Sequence, residues 1–198
     1  MTPKQIERLK KKIASVKRTL SAEKRKIGCY DDSRGLRYIP TKYYIQLADY
    51  NGGLTYTKWF DKTFPDDSGF PIFLFEWAII LFKTGKTGEA EKKALQTFFS
   101  NTYLIDKFLD KEFLYLDKSE NSNWETDYLT KEFEYSKYQP ELHDFADWLS
   151  LFVTSERFYK IANEFVAIEQ RLKSEPVGRS RTLLVNKLYS LLENYSKG

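Results

Sequence analysis

Residues 71–82 read PIFLFEWAIILF, and the fold turns on whether this run is a strand or a helix. Every position is apolar except Glu76. By periodicity alone such a run fits a fully buried strand as well as a buried helix. Its neighbours decide for helix. Upstream, Leu54, Tyr56, Trp59, Phe60 and Phe64 recur at helical spacing and stop at Pro65. Downstream, after the turn Thr84-Gly85-Lys86-Thr87-Gly88, the same spacing returns in Ala90, Ala94, Leu95, Phe98 and Phe99. Flanked in this way, the segment opened by Pro71 is a helix. Being apolar almost all round, it belongs in the middle of the fold.

The helical spacing continues outward on both sides. A short helix carries Tyr43, Tyr44 and Leu47, and Asp49-Tyr50-Asn51-Gly52 is a tight turn after it. Gly28 to Pro40 is a break. Before it, Thr2 can cap a helix, Pro3 suits the first helical position and Gln5 can complete a capping box. Ile6, Leu9, Ile13, Val16 and Leu20 then form one narrow apolar stripe, which Glu23 interrupts before Ile27. Toward the C-terminus, helical spacing resumes at Leu104, Ile105, Phe108 and Leu109, and residues 117–127 read as a polar, exposed loop. Pro140 starts a pair, with Leu142, Phe145, Trp148, Leu149 and Phe152 followed by Phe158, Ile161, Phe165 and Ile168. Glu175-Pro176-Val177-Gly178 breaks the chain before a final amphipathic helix with Leu184, Leu188, Leu191 and Tyr195.

The expected fold is therefore all-α, an array of about seven or eight helices. Residues 1–27 form a basic amphipathic N-terminal helix and residues 28–198 a single helical domain. Composition agrees. Of 198 residues, 41% are hydrophobic, and 15 Phe, 14 Tyr and 4 Trp can fill a core. Nine Gly and six Pro are too few turn formers for an all-β sandwich. No apolar run is long enough for a bilayer, so no membrane is expected. The charged N-terminus is not a secretory signal. Cys29, the single cysteine, has no internal disulfide partner. Together these features give a cytoplasmic expectation.

Charge is unevenly spread. The formal net charge is +4. Lys4, Arg8, Lys10, Lys11, Lys12, Lys17, Arg18, Lys24, Arg25 and Lys26 face only Glu7 and Glu23 within residues 1–27, which makes that segment +8 and residues 28–198 −4. Residues 106–147 are the acidic part, with twelve Asp/Glu against five Lys.

Two stretches resemble the tetratricopeptide repeat, a pair of antiparallel helices with small residues at their crossing. Tyr44, the turn Asp49 to Gly52, Gly53, Phe60 and Pro65 resemble one repeat. Ala78, Leu81, Gly85-Lys86, Ala90 and Ala94 resemble the next, and the resemblance covers about residues 37–101. Thr102 stands where a second closing proline belongs. The resemblance implies a short right-handed superhelix of stacked pairs with flanking N- and C-terminal helices. It also implies a concave groove for a protein or peptide partner, near Tyr38, Lys42, Gln46, Phe75, Ile79 and Lys83. The family's clamp for a partner's terminal carboxylate is not expected, because Lys42 and Glu76 occupy two of its positions and Glu76 has the wrong charge.

Candidate chemistry is sparse. Gly85-Lys86-Thr87 lacks the glycine a phosphate cradle needs five residues before its second glycine, since that position is Ile80. His143 is the only histidine and Cys29 the only thiol, and no local signature marks them as a catalytic pair. Asp31-Asp32 and Asp66-Asp67 have the residue type of a general acid–base pair, and more commonly of turns and caps. No cofactor, metal or catalytic residue is expected. The leading expectation is a non-enzymatic scaffold that binds a protein or peptide. The alternative is a nucleic-acid or ribonucleoprotein accessory using the cations of residues 4–26, its basic patch being Arg8, Lys10, Lys11, Lys12, Lys17, Arg18, Lys24, Arg25 and Lys26. The Ile6–Leu20 stripe also suits a homodimer.

Overall fold

The computed structural model describes residues 1–28, 30, 34–112, 115–120 and 122–195, apart from the side chains of Leu192 and Asn194. Cys29, Asp31 and Asp32, singled out above, lie outside the described residues. The protein is all-α. In chain order its helices are α1 (Pro3–Ile27), α2 (Ile39–Gln46), α3 (Tyr50–Thr63), α4 (Pro71–Lys83), α5 (Thr87–Ser100), α6 (Leu104–Phe108), α7 (His143–Val153), α8 (Glu156–Ser174) and α9 (Arg179–Tyr195). Short 3-10 turns precede α2 (Leu36–Tyr38), follow α6 (Asp127–Lys131) and precede α7 (Pro140–Leu142). The chain divides into two compact units, Met1–Ala90 and Glu91–Gly198, with the division inside α5.

In the first unit α4 is the centre. Pro71 opens it, and every residue from Phe73 to Leu81 is buried, Glu76 included. α2 and α3 pack on α4 and on each other. The approach is close because Gly53 in α3 has no side chain. A Cβ there would come within 2.9 Å of the Ile80 Cδ1 and 3.3 Å of the Tyr44 Cβ. Aromatic rings fill the remaining space, with Phe60 and Phe73 centroids 4.6 Å apart. α1 is capped as its sequence predicts, by a Thr2–Gln5 box at one end and a left-handed Gly28 at the other. It lies on α2 by its apolar stripe, with Ile13 and Leu20 buried and Ile13 packed with Tyr44 and Tyr56.

In the second unit α8 and α9 form an antiparallel hairpin closed at both ends by arginine. Arg181, near the start of α9, donates to the carbonyls of Leu172 and Glu175 at the end of α8. Arg157, near the start of α8, donates to the Tyr195 carbonyl at the end of α9. Phe165, Ile168 and Leu172 meet Leu184 and Leu191 between the two helices. Phe99 stacks on Phe165 with centroids 4.3 Å apart.

Residues 117–120 and 122–126 lack helix and strand, as expected, but they are anchored rather than merely exposed. The buried Asn101 amide donates to the carbonyls of Trp124 and Thr126 at 2.6 and 2.9 Å. Its carbonyl oxygen accepts from the amides of Tyr103 and Leu104, which begins α6. Asn101, just past the end of α5, thus caps the start of the next helix. Lys118 is buried too, paired with Glu120 at 3.1 Å and donating to the Glu125 carbonyl.

In an ordinary helix interior, Gly→Ala stabilises by about 1 kcal/mol. At Gly53 the sign reverses, because the methyl displaces a packed Ile80 side chain and overpacking costs about 1–3 kcal/mol. Gly53→Ala is expected to lower stability by about 1 kcal/mol in denaturant melts, whereas Gly88→Ala, which meets nothing within 4 Å, does not.

Candidate functional site

α1 carries the largest concentration of cations, and its docking decides where they point. With the stripe turned onto α2, Arg8, Lys10, Lys11, Lys12, Lys17, Arg18, Lys24, Arg25 and Lys26 are all exposed, as is Lys4. Three of them lean back onto aromatic rings of the same unit. Lys12 stands 5.2 Å from the Tyr43 centroid and Lys24 4.8 Å from that of Tyr30. Lys17 donates to the Tyr44 hydroxyl at 2.9 Å and lies 5.6 Å from that ring's centroid. These three flank the helix and help seat it.

A different set forms the outer ridge. Lys4, Lys11, Arg18 and Arg25 are spaced seven residues apart. Seven residues is nearly two turns, so the four fall in one line, with a drift of about 20° per step. The line runs opposite the apolar stripe. Successive cations rise about 10.5 Å along the axis, and the ridge spans about 31 Å. Neutralising partners are few. Lys11 pairs with Glu7 at 2.7 Å, both exposed. The other acid, Glu23, pairs with Arg34 instead. Lys4, Arg8, Lys10, Arg18, Arg25 and Lys26 form no ion pair with any described residue. Lys24, Arg25 and Lys26 suit the negative end of the helix dipole. Lys4 sits at the positive end, where a cation is unfavourable. In the sequence these cations read as a patch, and their seven-residue register gains meaning only because the stripe is covered.

The residues expected to line a groove are distributed differently. Phe75 and Ile79 are core, 1% and 0% exposed. Gln46 is exposed, and Lys42 is half-buried. Lys83 is half-buried over the Tyr50 ring at 5.7 Å. Tyr38 is held in a polar network. Its hydroxyl donates to Asp67 at 2.7 Å, the Arg37 Nε donates to Asp67 at 2.6 Å, and the Gly69 amide donates to Asp67 at 2.8 Å. Asp67 is therefore a loop organiser, while Phe70, the residue before α4, gives that helix no side-chain cap. Glu76, buried in α4, accepts from the Thr41 hydroxyl at 2.5 Å.

The remaining candidates do not converge. Gly85 takes the left-handed conformation that closes α4, and Lys86 pairs with Glu89. Ile80 is fully buried, so a phosphate cradle has no room. His143 is exposed at the start of α7, on an open cleft of about 500 Å³ in the second unit that Asp110, Lys137, Tyr138 and Asp147 also line. Tyr138 donates to Asp110 there at 2.7 Å. Among the described residues no group of three His, Cys, Asp or Glu side chains could hold a metal ion, and no helix is long and apolar enough to cross a membrane. Compared with protein-family models, with curated proteins and with solved structures, the chain matches none.

The Asp67 network gives the first unit a pH signature. Burial works to raise the Asp67 carboxyl, but hydrogen bonds from Tyr38, the Gly69 amide and Arg37 outweigh it and hold the pKa below its ordinary value. Burial, reinforced by the bond to Asp67, pushes the Tyr38 phenol up to about 12. A depressed carboxyl adds stability above its unfolded pKa of about 4 and loses it as pH falls through the folded value. A raised phenol adds stability below about pH 10 and loses it as pH rises toward 12. Asp67→Asn is expected to cost about 1–3 kcal/mol at neutral pH. Melts at stepped pH should show the gap between wild type and variant closing below about pH 4. A constant gap down to pH 2 would mean that the carboxylate charge adds nothing.

Proposed function

We propose that this is a non-enzymatic nucleic-acid-binding accessory protein that grips phosphates through α1. One observation carries the reading: ten exposed cations on a helix whose apolar stripe is already covered, with Glu7 the only acid on the helix paired to any of them. Like charges three and four residues apart, such as Lys4–Arg8 and Arg8–Lys12, repel. Helix stability does not account for them, and a polyanion relieves the repulsion. Phosphate contacts of this kind give affinity without sequence preference.

A second reading, a scaffold for a protein or peptide partner, is favoured by the packing at Gly53. The close crossing of α2, α3 and α4 there supports stacked tetratricopeptide-like pairs, and with them a partner face that includes Lys42 and Gln46. It is the weaker reading because Phe75 and Ile79 are unavailable as anchors.

The test is binding of the full chain to labelled total RNA and sheared DNA. Affinity should fall about 100-fold or more between 50 and 200 mM salt. Arg8→Glu with Arg18→Glu and Arg25→Glu should abolish binding without lowering the melting temperature. Deleting residues 1–27 is a poor substitute, because it strips Ile13 and Leu20 from the core. Undiminished binding by the triple variant would sink the proposal. Nuclease-resistant capture of one protein, lost in Lys42→Glu, would support the second reading.

A further inference from the structure

Resting on the nucleic-acid reading above, we infer that the ridge Lys4–Lys11–Arg18–Arg25 is built for a double helix rather than a single strand. The ridge is rigid, because α1 is one uninterrupted helix held down along its stripe. Its four cations stand in a line about 31 Å long. A single strand would have to be straightened to meet all of them, with a loss of chain entropy. A duplex is already stiff over that length and carries about one negative charge per 1.7 Å of axis. Thirty-one ångströms of duplex is about nine base pairs at 3.4 Å per step.

The same surface lacks what a single-strand binder needs. Such proteins stack bases on exposed aromatic rings. α1 has no aromatic residue. Of the nearby rings, Tyr43 lies under Lys12, Tyr44 under Lys17 and Tyr30 under Lys24. Each of these rings already has a cation over a face, and none is more than half-exposed. The membrane alternative lacks its usual partner as well, because Ile13 and Leu20, at the centre of the apolar stripe, are buried against the protein.

Fluorescence anisotropy on the full chain tests this, with a 24-base-pair duplex, one of its strands alone, and vesicles containing phosphatidylserine. Two variants accompany it. In the first, Lys4, Lys11, Arg18 and Arg25 are all changed to Gln. In the second, Lys58, Lys62, Lys160 and Arg179 are changed to Gln, giving the same net charge with the ridge intact. The duplex should bind at least tenfold tighter than the strand at equal salt. The slope of log affinity on log salt should be about −3.6 or steeper for the wild type, and about 3.6 units shallower in the ridge variant. The control variant should keep the wild-type slope. Equal or tighter binding of the single strand overturns the duplex inference and leaves the nucleic-acid reading standing. Binding of neither nucleic acid, with or without binding to vesicles, overturns both. An equal loss in the control variant also overturns the inference, since net charge and not the ridge would then be responsible.

Discussion

The burial of Ile13 and Leu20 against the first unit is the constraint on which the rest of α1 depends. A helix of 25 residues with ten cations would not hold its shape by propensity, because its own charges repel. Packing the stripe supplies the missing stability. Leu20 is fully buried, and Ile13 sits with Tyr44 and Tyr56. Once that face is committed, the opposite face has no freedom. Residues seven apart from Lys4 to Arg25 must lie on the solvent side, in line, whatever their partner. The ridge is the geometric consequence of the stripe.

Tyr44 and Tyr56 serve this docking twice. Their bodies pack in the core, and Lys17 reaches over both rings, 5.6 and 5.7 Å from the centroids. The cations of α1 thus divide by angle around the helix. Those flanking the stripe, such as Lys12, Lys17 and Lys24, can fold back onto aromatic surface and contribute to holding the helix. Those diametrically opposite, Lys4, Lys11, Arg18 and Arg25, are exposed. A cation near the stripe is partly structural, and those on the ridge face solvent, Lys11 in an exposed pair with Glu7.

What was legible in the sequence was local. The Thr2–Gln5 box, the break at Gly28, the start at Pro71 and the gap from Glu175 to Gly178 depend on residues within a turn of each other. Helix positions followed from them, and so did the all-α class. The Arg37–Tyr38–Asp67 network joins positions about thirty residues apart, and Asn101 reaches Trp124 across a polar loop. Neither pairing leaves a trace in spacing. α4 fails for another reason. A helix apolar on every side has no face to distinguish, so Phe75 and Ile79 could not be told from groove positions before their burial was seen. The ridge lay in plain view as a seven-residue repeat. It was hidden by Lys10, Lys12, Lys17 and Lys24, which blur a line of four into a general basic run.

That division also explains why ionic strength acts on this protein in two opposed ways. Salt screens the repulsion among Lys4, Arg8, Lys11 and Arg18, and so favours the folded helix. The same screening weakens any phosphate held by the ridge. A bound polyanion does for α1 what salt does, but locally and with all four ridge cations engaged at once. Binding and helix stability are then linked: a ligand that binds only the folded helix stabilises it in proportion to its occupancy. The N-terminal turn should gain most, because Lys4 sits where the helix dipole opposes a cation and the first turn holds no acid. The C-terminal turns, with Lys24 to Lys26 already aligned with the dipole, have less to gain.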